Sequence, residues 1–376
     1  MKRKLSILHV IMGYPPRLGG AENQAKLIAE HQAKKGHKVS VFTRFETGLK
    51  RKELKNNVLV YRSFFTNFKA SKEITSIIIG VKLFFKHNEF DVVQVHQGHV
   101  LASVISLVCF FIKKPCFIKI ANSGEKFDLK ILEKRAFIGK YALKIMLKTN
   151  PYFVSITNQI TEELKTLNVS KNHIFEIPNG VLLNENITST RKRFDSKNIC
   201  FLGRLEPIKR PEMIIKFSEQ FEEDVSFHIY GEGSLKNQLT MLNKNKKIKN
   251  LFIHGSVDNV SNILSNATLL VLPSLTEGMS NSLLEALSHA LPVIATNIPQ
   301  NRFIIENDLN IKAGSLIDSE SHEAWTSKIK FLLRNYDEYN LLSSNSLKLS
   351  KIFDIKRTSC MYTNTYLKII NSELFC

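Results

Sequence analysis

Short apolar runs alternate along this chain with longer stretches whose apolar positions recur every three or four residues. The short runs predict strands at Leu5–Ile11, Val39–Thr43, Val92–His96, Cys116–Ile120, Phe153–Ile156, Ile199–Leu202, Ser226–Tyr230, Leu251–His254, Leu269–Leu272 and Pro292–Ala295. Between them Ala21–Lys35, Ile160–Leu167, Pro211–Phe221 and Ser282–His289 carry helical spacing. Val100–Ile112 is the longest apolar stretch, about two-thirds of the roughly 18 residues that a membrane-spanning helix needs, and reads as a buried helix. Strands alternating with helices predict parallel sheets with right-handed crossovers, covered on both faces. The expected class is α/β and doubly wound.

A chain of 376 residues exceeds one ordinary core and suits two α/β domains of about 150–200 residues each. The best boundary is Leu182–Lys197, a polar and basic stretch that follows the turn signal Ile177-Pro178-Asn179-Gly180. A second series of strands and helices starts at Ile199, so the expected domains are residues 1–185 and 186–354. Two doubly wound domains joined there would bind ligand in a cleft facing the carboxyl ends of both sets of strands.

Charge changes the picture more than composition does. The net charge is +19, and residues 1–180 hold 30 Lys+Arg against 13 Asp+Glu, leaving 23 against 21 to the rest. Nearly the whole excess lies in the first half, which therefore faces something anionic unless it reflects a lysine-rich source proteome. The five cysteines, Cys109, Cys116, Cys200, Cys360 and Cys376, are scattered and form no C-x-x-C pair. That argues against a disulfide framework or zinc knuckle and for a reducing compartment. The start, MKRKLSILHVIMGYPP, resembles a signal peptide only superficially, because its apolar stretch is short, broken by His9 and followed by Pro15-Pro16. A first core strand is the expectation there.

Three segments carry candidate chemistry. In LLVLPSLTEGMSNSLLEALSHALPVIAT, residues 269–296, a strand ends near Ser274 and a helix begins near Ser280 to Ser282. The unpaired N–H groups of the helix start make an anion site, and Gly278 allows close backbone approach. Glu277 and Glu285 are eight positions apart, about 12 Å if one helix carried both. That exceeds the roughly 5–9.5 Å of a glycoside hydrolase pair, so two anchors on one extended ligand fit better. In FLGRLEPIKR, residues 201–210, Arg204 and Lys209 follow a strand that ends at Gly203, and this cation pair suits a diphosphate. In PPRLGGAE, residues 15–22, Gly19-Gly20 offers a backbone nest before the first helix. The segment is neither a G-x-G-x-x-G fingerprint nor a P-loop. Gly231, in Gly231-Glu232-Gly233, is a weaker signal of the same kind.

Taken in order, LGG, KKGHKVSVFT, IPNGV, LGRLEPIKR, YGEGSLKNQL and NATLLVLPSLTEGMSNSLLEALSHALPVIAT resemble the family-four retaining glycosyltransferases of the glycosyltransferase-B fold. The resemblance spans nearly the whole chain and is strongest over residues 177–300. It implies two Rossmann-like domains, the first binding acceptor and the second the nucleotide sugar, with a closing helix of about residues 355–376 on the first. It implies that Glu277 contacts hydroxyls of the donor sugar and Glu285 holds the ribose hydroxyls. It further implies that Arg204 and Lys209 neutralise the diphosphate beside Gly203 and Gly231. Gly278, Met279, Ser280, Asn281 and Ser282 lend backbone amides, and Gly19 and Gly20 close over the phosphates. Transfer would retain the anomeric configuration and use no metal and no cofactor beyond the donor, a hexose or N-acetylhexosamine on a nucleotide, by default UDP.

Many relatives place a histidine after the fourth strand of the first domain, where this chain reads FIKIANSGE, residues 117–125. Lys119 and Asn122 are the candidates for that contact, and His96 and His99 for acceptor lining. The His pair lacks the third ligand of an H-E-x-x-H site, so no metal is expected. Phe64, Phe65 and Phe68 beside Arg62, Lys69 and Lys72 suit an anionic lipid surface. So does Lys126–Lys148, with Phe127, Leu132, Phe137, Ile138, Leu143 and Ile145. The expected protein is cytoplasmic and peripheral on the inner face of the membrane, acting on a lipid-linked or polysaccharide acceptor. Competing readings are a nucleotide-sugar epimerase of similar fold and a non-catalytic membrane- or nucleic-acid-binding protein. The last lacks any recognised nucleic-acid motif, so no nucleic-acid partner is expected.

Overall fold

A computed structural model describes residues 3–16, 19–63, 71–135, 138–257, 259–306, 311–318 and 320–373. The chain begins with β1 (Ser6–Val10), α1 (Gly20–Lys34), β2 (Lys38–Arg44), β3 (Lys52–Lys55), β4 (Val58–Ser63), α2 (Ser71–Lys86) and β5 (Val92–His96). It continues through α3 (Val100–Phe111), β6 (Cys116–Ile120), α4 (Asp128–Glu133), α5 (Gly139–Lys148), β7 (Tyr152–Ser155), α6 (Asn158–Thr166) and β8 (Ile174–Glu176). Then come α7 (Thr190–Ser196), β9 (Asn198–Leu202), α8 (Glu212–Ser218), β10 (Ser226–Tyr230), α9 (Lys236–Lys246), β11 (Leu251–Gly255), α10 (Val260–Asn266) and β12 (Leu269–Leu272). The last elements are α11 (Asn281–Ser288), β13 (Val293–Thr296), α12 (Pro299–Ile305), β14 (Gly314–Ile317), α13 (His322–Arg334), α14 (Tyr336–Ser350) and α15 (Ile355–Glu373). These form two compact units, Met1–Gly180 with Ile355–Cys376, and Val181–Asp354. The division falls ahead of the 182–197 stretch because the Val181 N–H donates to the Phe353 carbonyl, inside the second unit.

The first unit holds an eight-stranded sheet in the order β3-β4-β2-β1-β5-β6-β7-β8. All its pairs are parallel, as expected, except the edge pair β3 with β4. The reason is local. Asn56 and Asn57 sit at φ 50° and 62°, the signature of a two-residue primed turn that folds the chain straight back. The edge strand so formed reads Lys-Glu-Leu-Lys and is largely exposed, which blunts the edge against further pairing. Right-handed crossovers put α1 on one face of the sheet and α2, α3 and α5 on the other. On the α1 side, Ile355, Tyr362, Tyr366 and Ile369 of α15 join Leu5, Ile7, Ile28, Phe117 and Val154 in one core.

Val100–Ile112 is not buried to its end. Phe110 and Phe111 are exposed, although Leu101, Ala102 and Ile105 lie fully inside. Among the described residues no helix is long and apolar enough to cross a membrane.

The second unit holds six strands in the order β11-β10-β9-β12-β13-β14, every pair parallel. Leu270, Val271, Ile294, Leu283, Leu287 and Trp325 fill its core. Arg193 of α7 is also buried, bonded to the His289 carbonyl at 2.8 Å and Ser343 Oγ at 3.1 Å.

Candidate active site

In the second unit the chain leaves β9 toward β10 on one side and leaves β12 toward β13 on the other. The carboxyl ends of β9 and β12 therefore flank a topological switch point, where open α/β sheets bind ligands. Arg204 and Lys209 lie on the loop after β9, and Glu277 lies on the loop after β12. The Leu275 N–H donates to the Ile208 carbonyl at 2.9 Å and stitches the two loops together.

Lys209 Nζ lies 2.5 Å from both carboxylate oxygens of Glu277. The side chains are 16% and 5% exposed, so water screens this pair far less than a surface pair. Arg204 is exposed, and its guanidinium has no bonded partner among the described residues. Glu206 accepts the Ser234 N–H at 3.1 Å and hydroxyl at 2.7 Å. Those bonds hold the Glu206 carboxyl below its usual range.

The loop after β10 packs directly on the Arg204 loop. Gly231 sits at φ +145°, and a Cβ there would lie 1.8 Å from the Gly203 carbonyl oxygen. A Cβ on Gly233 would lie 2.4 Å from the Leu205 oxygen. No other residue type fits this contact, so Gly231 and Gly233 set the height of the Arg204 loop.

Helix α11 starts beside this constellation. Ser280 caps it, accepting from the Leu283 N–H at 3.4 Å and meeting Ser282 Oγ at 3.0 Å. The positive end of the helix thus opens at the loop of Glu277, Gly278 and Met279, with Asn281 and Ser282 in its first turn. Glu285 follows on the same helix. Burial pushes its carboxyl up to about 7, and its side chain has no bonded partner among the described residues. A nearly buried carboxyl with no internal partner is costly and is suited to hydroxyls brought by a ligand.

The first unit has a matching switch point at β1 and β5. Gly19 is the N-cap of α1, with extended backbone at φ −173° and ψ 156°. Gly19-Gly20 is therefore not a nest of alternating handedness, and what the segment offers is the first turn of α1.

The four candidates on this unit fall into two clusters. His96 ends β5 and is buried, its Nε2 2.9 Å from His9 Nδ1, and His9 Nε2 meets Gln32 Oε1 at 2.8 Å. Burial holds His9 down at about 4 and His96 well below the imidazole range, with His9 and Lys119 adding repulsion at His96. Lys119 is buried too and donates to Asn179 Oδ1 at 2.7 Å, and burial lowers its ammonium to about 7. His99 and Asn122 are only half-buried and gather round Asp128. Asn122 Nδ2 donates to Asp128 Oδ1 at 2.7 Å, and the Ala121 N–H to Asp128 Oδ2 at 3.0 Å. Burial lowers the His99 imidazole, opposed by Asp128. Asp128 and Asn179 are residues that the sequence reading did not single out for the site. Their sole local signals are an Asp at a helix start and the Pro-Asn-Gly turn.

Of the proposed membrane residues, Phe127, Leu132 and Leu143 are core, a correction, while Ile138 and Ile145 are exposed. Phe64, Phe65, Phe68, Lys69 and Phe137 lie outside the described residues. Among the described residues no group of three or more His, Cys, Asp or Glu could hold a metal ion.

Two parallel α/β units with phosphate-suited loops at a switch point define a two-domain nucleotide-binding enzyme class. Two family models meet end to end on this chain: Glycosyltransferase Family 4 over residues 18–185 and Glycosyl transferases group 1 over residues 184–349. The chain belongs to these glycosyltransferases of the glycosyltransferase-B fold.

It is 27% identical over 318 residues to the UDP-Gal:alpha-D-GlcNAc-diphosphoundecaprenol alpha-1,3-galactosyltransferase of Escherichia coli, covering 76% of this chain and 78% of that protein. It is 30% identical over 221 residues to the poly(ribitol-phosphate) alpha-N-acetylglucosaminyltransferase of Staphylococcus aureus, covering 57% of this chain and 42% of that one. In fold it matches Anabaena HepE, solved in complex with UDP and glucose, with a TM-score of 0.77 and 16% identity over 96% of this chain and 99% of that chain.

Proposed function

We propose that the chain moves a hexose or N-acetylhexosamine from a UDP-sugar to a saccharide on a lipid carrier or growing polysaccharide, retaining the anomeric configuration and using no metal ion. The observation that carries this reading is the gathering at one switch point of exposed Arg204, the Lys209–Glu277 pair and the start of α11, one turn before the unpartnered Glu285. Arg204, Lys209 and the helix end meet the diphosphate, which leaves with the electron pair of the broken C1–O bond as the acceptor oxygen bonds to C1. The acceptor hydroxyl, entering on the face from which the diphosphate departs, gives its proton to the departing phosphate oxygen in the same event, so the configuration is retained. Glu277, held by Lys209, accepts from sugar hydroxyls, and Glu285 accepts from the ribose pair. Gly203, Gly231, Gly278, Met279, Ser280, Asn281 and Ser282 form the floor.

On the first unit Gly19, Gly20, His99 and Asn122 face substrate, whereas His96 and Lys119 are positioning residues. The relative from Escherichia coli, named for transfer from UDP-Gal to a diphosphoundecaprenol-linked sugar, supports the UDP donor and a lipid-linked acceptor. Such an acceptor, with the basic first unit, supports a cytoplasmic enzyme at the inner face of an anionic membrane.

The test is a donor screen on the full chain with UDP-, GDP- and ADP-sugars in EDTA, followed by thermal shift and nucleotide release. One donor should stabilise the protein and be slowly hydrolysed, and NMR of the product should show the donor's anomeric configuration. Binding only in the presence of added divalent metal would sink the metal-independent reading, and an inverted product would sink retention.

A further inference from the structure

We infer that the outward side of α2, the C-terminal end of α3 and the outward side of α5 dock the first unit onto an anionic lipid bilayer. The inference rests on the membrane partner proposed above and gives it a location.

Helix α2 turns Thr75, Ser76, Ile79, Gly80 and Leu83 inward. The opposite side of a surface helix should be polar. Here Ile74, Ile77, Val81, Phe84 and Phe85 occupy it, the last 80% exposed. At about 100° per residue these five fall in one arc of about 100° directly opposite the core. The helix is apolar on both sides.

Helix α3 extends the patch. A Cβ on Gly80 would lie 2.8 Å from Val104 Cγ1 and 3.4 Å from Val108 Cγ2, so the two helices touch closely there. Both return from the carboxyl end of one parallel strand to the start of the next, so they run in the same direction. One turn beyond the contact, α2 presents Phe84 and Phe85 at the same end as Phe110 and Phe111 of α3. Each pair is edge-on, with centroids 5.8 and 5.7 Å apart. Exposed Lys113 follows at once.

Packed against α3, α5 sets Lys140, Lys144 and Lys148 along a groove of about 540 Å³ floored by Leu143 and Leu147. Tyr141 and Ile145 are exposed alongside. The nearby acids are largely committed, Glu73 to Arg135 at 3.0 Å and Glu89 to Lys86 at 2.5 Å, and Glu133 stands at the groove.

Charge selects the occupant. The first unit holds 33 Lys+Arg against 14 Asp+Glu, and the second 20 against 20. A second copy of this face would bring its own lysines against these, whereas an anionic bilayer is complementary and takes the aromatic side chains into its interface.

The test floats the full chain with vesicles of phosphatidylcholine alone or with half phosphatidylglycerol. The chain should bind only the anionic vesicles and release them at about 1 M salt, where the screening length is about 3 Å. Ile77→Asp with Phe85→Asp should weaken binding about tenfold or more. Lys140, Lys144 and Lys148 changed together to Ala should weaken it about a hundredfold. Met241→Asp, exposed on α9 of the neutral unit, should change nothing, and UDP affinity should be unchanged throughout, which shows that the variants fold.

Anionic vesicles ignored by the wild type, or bound equally by both sets of variants, would overturn the proposal. So would a wild-type dimer that Phe85→Asp disperses while vesicle binding persists. UDP binding without vesicle binding defeats this inference and leaves the transferase reading standing, and vesicle binding without any donor does the reverse.

Discussion

The two units use charge in opposite ways. The first carries the whole net charge of +19 while the second is neutral. Yet the second unit places two of its cations on the loop at the carboxyl end of β9, where Lys209 meets Glu277 and Arg204 stands exposed. The buried polar side chains of the first unit instead bond largely to its own groups. His9, His96 and Gln32 bond to one another, Lys119 bonds to Asn179, and Tyr366 donates its hydroxyl to Gln94. Its excess lysines lie outside, beside exposed Phe and Ile side chains. On the docking proposed above, net charge marks the surface that meets an extended anionic partner. Ligand chemistry is marked by where single charges sit on the fold.

The sharpest way to break this contrast is to remove one placed cation. Arg204→Ala should cost about 10²–10³ in transfer rate, the usual loss for one charge-stabilising donor, while Tm stays put because the side chain is exposed. A steady-state assay beside a melting curve checks both. Equal losses from removing an outlying lysine of the first unit would dissolve the distinction.

Glu285 sharpens the contrast through pH. Its carboxyl is raised by burial to about 7 from 4.5, so the folded state resists its ionisation. Stability of the ligand-free chain is full below about pH 4.5 and declines as pH rises to about 7, by on the order of 3 kcal/mol. Glu285→Gln should flatten that window in denaturant titrations and weaken UDP binding at the same time. A variant that binds UDP as tightly as the wild type would deny Glu285 its ribose.

In the first unit the expected effects are structural and smaller. Asn122→Ala strips one bond from the fully buried Asp128 and should cost about 1–2 kcal/mol of stability. Lys119→Met should leave stability at pH 7 little changed or raised, because the folded wild type there still carries most of the cost of lowering the ammonium to about 7, offset by the bond to Asn179 that the variant loses. As pH rises from about 7 toward 10.5, the unfolded lysine binds more protons than the folded one, so the wild type should gain stability relative to the variant. Parallel pH–stability curves for the two proteins would contradict the buried placement of Lys119.

Much of this was legible in the chain because parallel strands buried on both faces leave continuous apolar runs. Val92–His96, Cys116–Ile120, Ser226–Tyr230 and Leu269–Leu272 coincide residue for residue with observed strands. The hairpin of β3 and β4 escaped, although Asn56-Asn57 is a readable turn pair and β4 is apolar and largely buried, because its partner β3 is charged and largely exposed. The three-residue β8 is too short to show a period. The apolar outer face of α2 was missed for a different reason. Residues that face lipid and residues that face core look alike in sequence, and the same ambiguity assigned Phe127, Leu132 and Leu143 to a membrane surface when they are core. The gathering of Asn122 and His99 round Asp128 is set by the approach of β5 and β6 loops to α4, which no local pattern encodes.

The central claim is that the second unit holds a nucleoside diphosphate with protein charge alone. Calorimetric titration of UDP into the full chain in EDTA tests it most directly. The account predicts saturable binding that Arg204→Ala weakens at least about tenfold without moving Tm. Binding that appears only with added divalent metal, or that Arg204→Ala leaves untouched, would contradict it.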